Sequence, residues 1–269
     1  MADWQITAAA RTRKGRLNVA NKDCFYLNGK TLPPETSGHG GKLVREGGEP
    51  FQLYAVCDGI GGDEAGSWAS QEALRVLDEL CQTYPGGITE SELLFTLGRF
   101  TDRLFRLANG KSGPVGVTLA LCLWQEGRVR IVNIGNSRIY RLRKGKLTQL
   151  SMDHTEVQQM VDLGILTPYQ ARVSPRRHVI SQYVGLNSMD RAFQPYISPL
   201  LDARPRDSYL LCTDGLTDMV EDEAIRHTLL RVKDAAQAAD MLVQQALDNG
   251  GMDNATALCF RASHRVWNT

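Results

Sequence analysis

Residues 115–143 read VGVTLALCLWQEGRVRIVNIGNSRIYRLR. Residues 115–123 are almost wholly apolar, whereas 129–134 and 138–143 alternate apolar with polar side chains. Successive side chains leave a strand on opposite faces, so this alternation predicts strands with one buried face. Gln125-Glu126-Gly127 and Lys144-Gly145-Lys146 supply turns. Turns this short cannot make parallel crossovers, so the stretch predicts an antiparallel meander.

Upstream lie two helical patterns. Trp68, Ala69, Ala73, Val76, Leu77 and Leu80 recur at three- and four-residue steps, as do Leu93, Leu94, Leu97, Phe100, Leu104 and Leu107. Thr89 three residues before Glu92 predicts a capping box, and Gly110 a stop. Before them, 51–57 (FQLYAVC) is an apolar strand and 4–9 and 23–27 are shorter strand-like pieces. Residues 28–50, rich in Gly, Pro, Ser and Glu, predict a long hairpin loop. Downstream, 153–173 is polar and helix-like, with Thr167-Pro168 opening a second short helix and Pro175-Arg176-Arg177 ending it. A strand over 208–212, an amphipathic helix over 235–247 and a core strand over 254–260 complete the chain. Strand runs separated from helix runs predict an α+β layered domain, a two-sheet sandwich with helices outside.

The 269 residues fit one large domain or two small ones. With 31 Lys+Arg against 30 Asp+Glu, the formal net charge of +1 gives no field that would gather nucleic acid or an anionic membrane. No apolar run approaches the roughly 20 residues that span a bilayer. The N-terminal stretch lacks the apolar block of a signal peptide, which predicts a cytoplasmic protein. Cys57, Cys122, Cys212 and Cys259 sit inside apolar runs without metal-binding spacing, and are expected to be buried, reduced thiols.

Three acidic segments carry the chemistry. Val56-Cys57-Asp58-Gly59-Ile60-Gly61-Gly62 and Leu211-Cys212-Thr213-Asp214-Gly215 are each apolar strand, then Asp, then Gly. Gly250-Gly251-Met252-Asp253-Asn254 puts an Asp just before a strand. One Asp-Gly is ordinary turn chemistry. Three carboxylates at the ends of buried strands are costly to desolvate unless they bind a cation. Hard oxygen donors of this kind suit Mg²⁺ or Mn²⁺, and two such ions can clamp a phosphate.

The sequence resembles the type 2C metal-dependent serine/threonine protein phosphatases, bacterial branch. The matching pieces, in the family's order, are Asn21-Lys22-Asp23, Asp58-Gly59-Ile60-Gly61-Gly62, Gly116-Val117-Thr118, Gly135-Asn136-Ser137-Arg138, Asp153-His154-Thr155, Pro175-Arg176-Arg177-His178-Val179-Ile180, Asp214-Gly215-Leu216-Thr217-Asp218 and Asp253-Asn254-Ala255-Thr256. The resemblance implies one phosphatase domain over 1–269, a four-layer α-β-β-α sandwich of two antiparallel sheets flanked by helix pairs, with a small helical flap over about 155–185. It implies two Mn²⁺ or Mg²⁺ ions, bridged by Asp58, with Asp214 and Asp253 completing the first site and the Gly59 carbonyl ligating the second. Asp23 would orient bound waters, Asp218 would hold a looser third ion, and a metal-bridging hydroxide would attack phosphorus in line.

Three positions depart from the family's pattern. Asn18 stands where an Arg usually grips the phosphate, and Arg16 could replace it if Leu17 is extended, since Arg16 and Asn18 would then share a face. Lys22 stands where Glu is common, and Asn136 where Asp helps bind the third ion. These changes make the site less anionic and predict weaker binding of the second and third ions. Ile60 cannot donate a proton where some relatives carry His. The expected function is hydrolysis of phosphoserine and phosphothreonine in proteins by a cytoplasmic monomer that opposes a serine/threonine kinase, with type VI secretion control as one setting. The alternative is a low-activity or inactive phosphatase-like regulatory or binding module, motivated by the three departures.

Overall fold

A computed structural model describes residues 4–33, 40–108 and 113–264. Its strands form two antiparallel sheets. The six-stranded sheet takes, in spatial order, β3 (Gly40–Gly47), β1 (Trp4–Arg13), β13 (Ala255–His264), β12 (Ser208–Cys212), β8 (Arg138–Arg143) and β9 (Lys146–Gln149). The seven-stranded sheet runs β10 (Tyr196–Ile197), β7 (Arg128–Ile134), β6 (Leu119–Gln125), β4 (Phe51–Ile60) and β2 (Asp23–Leu27), with β11 (Leu201–Asp202) beside β7 and β5 (Gly116–Val117) beside β4.

The apolar run in β4 explains the layering. Leu53, Ala55 and Cys57 face one core, while Tyr54 and Val56 face another. A strand covered on both faces has no solvated side to mark with polar residues. The outer core is closed by α1 (Asp63–Thr83) and α2 (Glu90–Leu107), whose Leu77, Leu80, Leu93, Leu97 and Phe100 cover the seven-stranded sheet. Thr89 and Glu92 form the expected capping box of α2. The inner core lies between the sheets, where Phe260 of β13 stacks on Tyr209 of β12 (4.5 Å between ring centroids) and on Tyr54 of β4 in the other sheet (4.9 Å). The third core lies under α5 (Asp214–Thr217), α6 (Asp222–Arg231) and α7 (Ala235–Asp248), where Ile225, Leu242 and Val243 cover the six-stranded sheet. Three cores between four layers give the α-β-β-α sandwich. Two short helices, α3 (Glu156–Asp162) and α4 (Pro168–Val173), form the flap, each opened by a threonine cap. Among the described residues no helix is long and apolar enough to cross a membrane.

The structure corrects several sequence expectations. Residues 115–143 are not one meander. β6 pairs with β7, but β8 pairs with β12 and β9 in the other sheet. The chain crosses between sheets at Gly135, whose φ of 103° favours glycine and which packs against Thr118. Alternation reports that a strand has one buried face, not which sheet it joins. The run over 115–123 also breaks at Thr118, between β5 and β6. The loop expected over 28–50 contains β3, an edge strand paired, among the described residues, with β1 alone and obscured in the sequence by its glycines and charged residues. Residues 34–39 of that loop and the stop at Gly110 lie outside the described residues. α6 and the short strands β9, β10 and β11 were not anticipated, because pieces this short or polar carry little periodic signal.

Phe260→Ala removes the ring that joins the sheets and is expected to lower unfolding free energy by about 3–5 kcal/mol. Thr89→Ala, which loses one cap, should cost only ~1 kcal/mol. Urea denaturation of the two variants beside the parent chain reads both values.

Candidate metal centre

At one end of the sandwich, Asp23 of β2 and Asp58 of β4 are direct cross-strand partners. Asp23 is 3% exposed. Its Oδ2 accepts hydrogen bonds from the Thr213 and Thr256 hydroxyls, both at 2.7 Å, and both residues belong to the opposite sheet's edge of the site. Since the Thr256 proton goes to Asp23, the 2.7 Å contact between Thr12 and Thr256 must be donated by Thr12. Thr12 in turn accepts from Asn21 Nδ2 at 2.8 Å. The Asn21-Lys22-Asp23 piece thus sits in a buried polar chain that fastens one sheet to the other.

The carboxylates disturb one another. Burial pushes the Asp58 carboxyl well above its ordinary range, and Asp23, Asp214 and Asp253 push it further, with Lys22 opposing. Burial lifts Asp23 to about 7; the Thr256 and Thr213 hydrogen bonds oppose this, and Asp253 and Asp214 add to it. The Asp23 and Asp58 carboxyls, raised by burial and by the charges of Asp214 and Asp253, form with them a donor set of hard oxygens that a divalent cation relieves. The residues present therefore fit the two ions that the resemblance implies.

Glycine lets the backbone close around this set. A Cβ on Gly59 would lie 2.1 Å from the Gly66 carbonyl oxygen in the first turn of α1. A Cβ on Gly215 would lie 2.0 Å from the Asn254 carbonyl oxygen. The Thr118 hydroxyl accepts from the Asp58 backbone N–H at 3.1 Å and meets Ser137 at 2.8 Å, which ties the end of β4 to the crossing between sheets.

Asp214 opens α5, and Asn136 Nδ2 donates to its Oδ2 at 2.7 Å. Asp218 caps the other end of α5, with Arg177 Nε 4.0 Å away. Asp253 is exposed, and its Oδ1 accepts from Asn254 N–H (2.7 Å) and from Asn18 Nδ2 (2.9 Å). Asn18 therefore touches an expected metal ligand. Arg16 does not join it. Arg16 and Leu17 form a bend instead of the extended pair that would aim Arg16 and Asn18 together, and Arg16 Nη2 donates to the Leu247 carbonyl at the end of α7.

Arg138, Asp153 and His154 of the motif pieces prove to be structural. Arg138 clamps Asp153 with three hydrogen bonds of 2.7–3.1 Å, and His154 Nδ1 accepts from Gly135 N–H at 3.2 Å. Burial lowers the His154 pKa, which agrees with a neutral acceptor ring. Beside the carboxylates a cleft of about 640 Å³ runs under the flap, lined by Asn136, Tyr169, Arg172, His178, Asp214 and Asp218. Sequence reasoning assigned no role to Thr12, Thr213, Thr256 or His178. The last three lie in or beside the quoted motif pieces, so the signal was their company and not their chemistry.

The family description "Protein phosphatase 2C" matches residues 33–159. Serine/threonine protein phosphatase PstP of Mycobacterium tuberculosis is 33% identical over 260 residues, 93% of this chain and 44% of PstP, so the chain spans less than half the length of that relative. The solved catalytic domain of PstP in complex with two manganese ions superimposes with a TM-score of 0.77 at 30% identity, covering 97% of this chain and 99% of that one. PppA, described as a key regulatory component of T6SS in Pseudomonas aeruginosa, gives a TM-score of 0.74 at 27% identity, covering 96% and 97%.

The metal-free protein should lose stability as pH rises from about 4 to about 7. In that window folded Asp23 keeps a proton that the unfolded chain has released, so each step up in pH favours unfolding. Thermal melts in chelator across this range should show the decline, Mn²⁺ should reduce it, and Asp23→Asn should flatten it. A melting temperature that instead climbs through the window would contradict the burial argument.

Proposed function

We propose that this chain, which belongs to the protein phosphatase 2C family, hydrolyses phosphoserine and phosphothreonine esters in proteins at the Asp23–Asp58–Asp214–Asp253 centre. The observation that carries the reading is the buried cross-strand pair Asp23 and Asp58 at one end of two sheets, close enough to Asp214 and Asp253 for their charges to raise both carboxyls. Asp58, Asp214, Asp253 and the Gly59 carbonyl would hold the two ions, Asp23 would orient their waters and Asp218 would serve a weaker third ion. Mn²⁺ or Mg²⁺ held there would acidify water and offset the charge of the phosphate ester.

The chain's own residues set the conditions for that chemistry. Thr213 and Thr256 fix the Asp23 carboxylate, so its free oxygen keeps one orientation. Asn18 and Asn136 each occupy one carboxylate oxygen of Asp253 and Asp214 with a neutral donor. Ile60 offers no proton, which leaves water to protonate the departing seryl or threonyl oxygen. Asn18 is already at the rim of the centre, whereas Arg16 reaches a phosphate only by releasing Leu247. The flap, with Tyr169 75% exposed beside the cleft, is the part of the surface offered to a protein substrate.

The finer reading is a cytoplasmic monomer that opposes a serine/threonine kinase. Six free thiols, five of them buried, support a reducing compartment. A T6SS setting rests on the likeness to PppA alone.

Hydrolysis of a phosphothreonine peptide should rise with Mn²⁺, vanish on chelation and fall to background in Asp58→Asn. Folded protein that turns over nothing at any Mn²⁺ concentration would favour the regulatory binding module. Arg16→Ala should leave KM unchanged and lower Tm through loss of the hydrogen bond to the Leu247 carbonyl at the end of α7. A KM raised several-fold with little change in kcat would show instead that Arg16 releases Leu247 to grip the phosphate.

A further inference from the structure

We propose that His178, Asp214 and Asp218 form a mixed nitrogen–oxygen metal site in which a flap imidazole takes the place of the carboxylate missing at Asn136, so that the site selects a transition-metal ion over Mg²⁺ and pins the flap to α5. The inference deepens the metal-centre reading and rests on it, because Asp214 is shared.

Geometry places the donors. His178 Nε2 lies 3.5 Å from Asp218 Oδ2, and His178 Nδ1 lies 3.8 Å from Asp214 Oδ2. One nitrogen and two carboxylate oxygens lie within 4.8 Å of one another. Ligands on opposite sides of an ion with bonds of about 2.1 Å stand roughly 4.2 Å apart, so the set is of a size that an ion can bridge. Neither imidazole contact is a good hydrogen bond, which leaves the ring near both aspartates but satisfied by neither.

A second observation comes from Asn136. It is 6% exposed and lines the same cleft, and its Nδ2 is spent on Asp214. Its Oδ1 is buried with no hydrogen-bond partner. A buried carbonyl oxygen left unpaired is costly, and an ion or its water beside Asp214 would satisfy it. Amide and imidazole together supply neutral donors where the family pattern has a carboxylate. Arg177, 4.0 Å from the other oxygen of Asp218, further reduces the local negative charge.

The ligand set determines the ion. Mg²⁺ demands oxygen and sheds water reluctantly, whereas imidazole suits first-row transition ions. His178 stands between α4 and the bridge that joins Thr155 to Ile180. An ion shared with Asp214 and Asp218 would therefore tether the flap to the helix that carries a core ligand.

Pulsed electron paramagnetic resonance of the full chain loaded with Mn²⁺ alone tests this directly, since nitrogen bound to Mn²⁺ modulates the echo. The wild type should show imidazole nitrogen coupling that disappears in His178→Asn and Asp218→Asn and persists in Asp58→Asn. Calorimetry with Co²⁺ should show one binding step weakened by about tenfold or more in His178→Asn, with Mg²⁺ binding changed far less. His178 is exposed, so the variant keeps the fold, and circular dichroism verifies it. Absence of nitrogen coupling at saturating Mn²⁺, or coupling that survives in His178→Asn, overturns the proposal. Peptide hydrolysis without nitrogen coupling would sink this inference alone. Nitrogen coupling without hydrolysis would sink the phosphatase reading and leave the site standing.

Discussion

The Asp23 carboxylate is the point on which the two sheets meet. It hangs from a strand of the seven-stranded sheet, and the hydroxyls that hold it come from the end of β12 and from β13 in the six-stranded sheet. Two threonines reduce the cost of burying that charge but do not remove it, since burial remains the larger influence on Asp23. Asp253 and Asp214 make the deficit larger. The sandwich is therefore closed at this end around a carboxyl that holds its proton well above the ordinary range unless a cation takes the proton's place, and the same burial that penalises the ionised metal-free site suits it to a divalent ion.

That strain is tolerable because the rest of the molecule is conventional. Three apolar cores lie between four layers, and the Tyr54–Phe260–Tyr209 stack crosses the gap between sheets. The glycines at 59 and 215 then let α1 and α5 begin directly on the ends of strands, with no room for a Cβ between backbones. Packing fixes the sheets, the sheets fix the strand ends, and the strand ends fix the carboxylates. A site built on rigid elements in this way keeps its geometry even while its charges repel.

The legible parts of the sequence were those with a local physical signature. An apolar strand that runs into Asp-Gly brings its carboxylate to the core's edge, and Asp214 follows the end of β12 while Asp58 lies two residues before the end of β4, which continues through Gly59 to Ile60. The capping box at Thr89 and the Thr167-Pro168 helix start are equally local, and both helices start there. What was not legible depends on distant partners. Nothing in residues 128–143 says that β7 and β8 part company at Gly135, because both strands alternate alike whichever sheet they join. β3 reads as loop because an edge strand needs little apolar surface. The bend at Arg16 is set by its backbone N–H donating to the Gly251 carbonyl, a partner 235 positions later in the chain.

The departures from the family's pattern make more sense together than singly. Lys22 lowers the cost of ionising Asp58, Asn18 satisfies an oxygen of Asp253, and Asn136 satisfies one of Asp214. Each supplies by hydrogen bond or charge part of what an ion would supply, so each lowers the free energy of the metal-free state relative to the loaded one. Binding free energy is the difference between those states, and a better-satisfied empty site binds more weakly even when every ligand remains. His178 acts in the opposite sense at the edge of the cluster, because it adds a donor with affinity for transition ions where charge has been removed. The centre thus trades electrostatic pull, which any divalent cation feels, for ligand character, which distinguishes one cation from another.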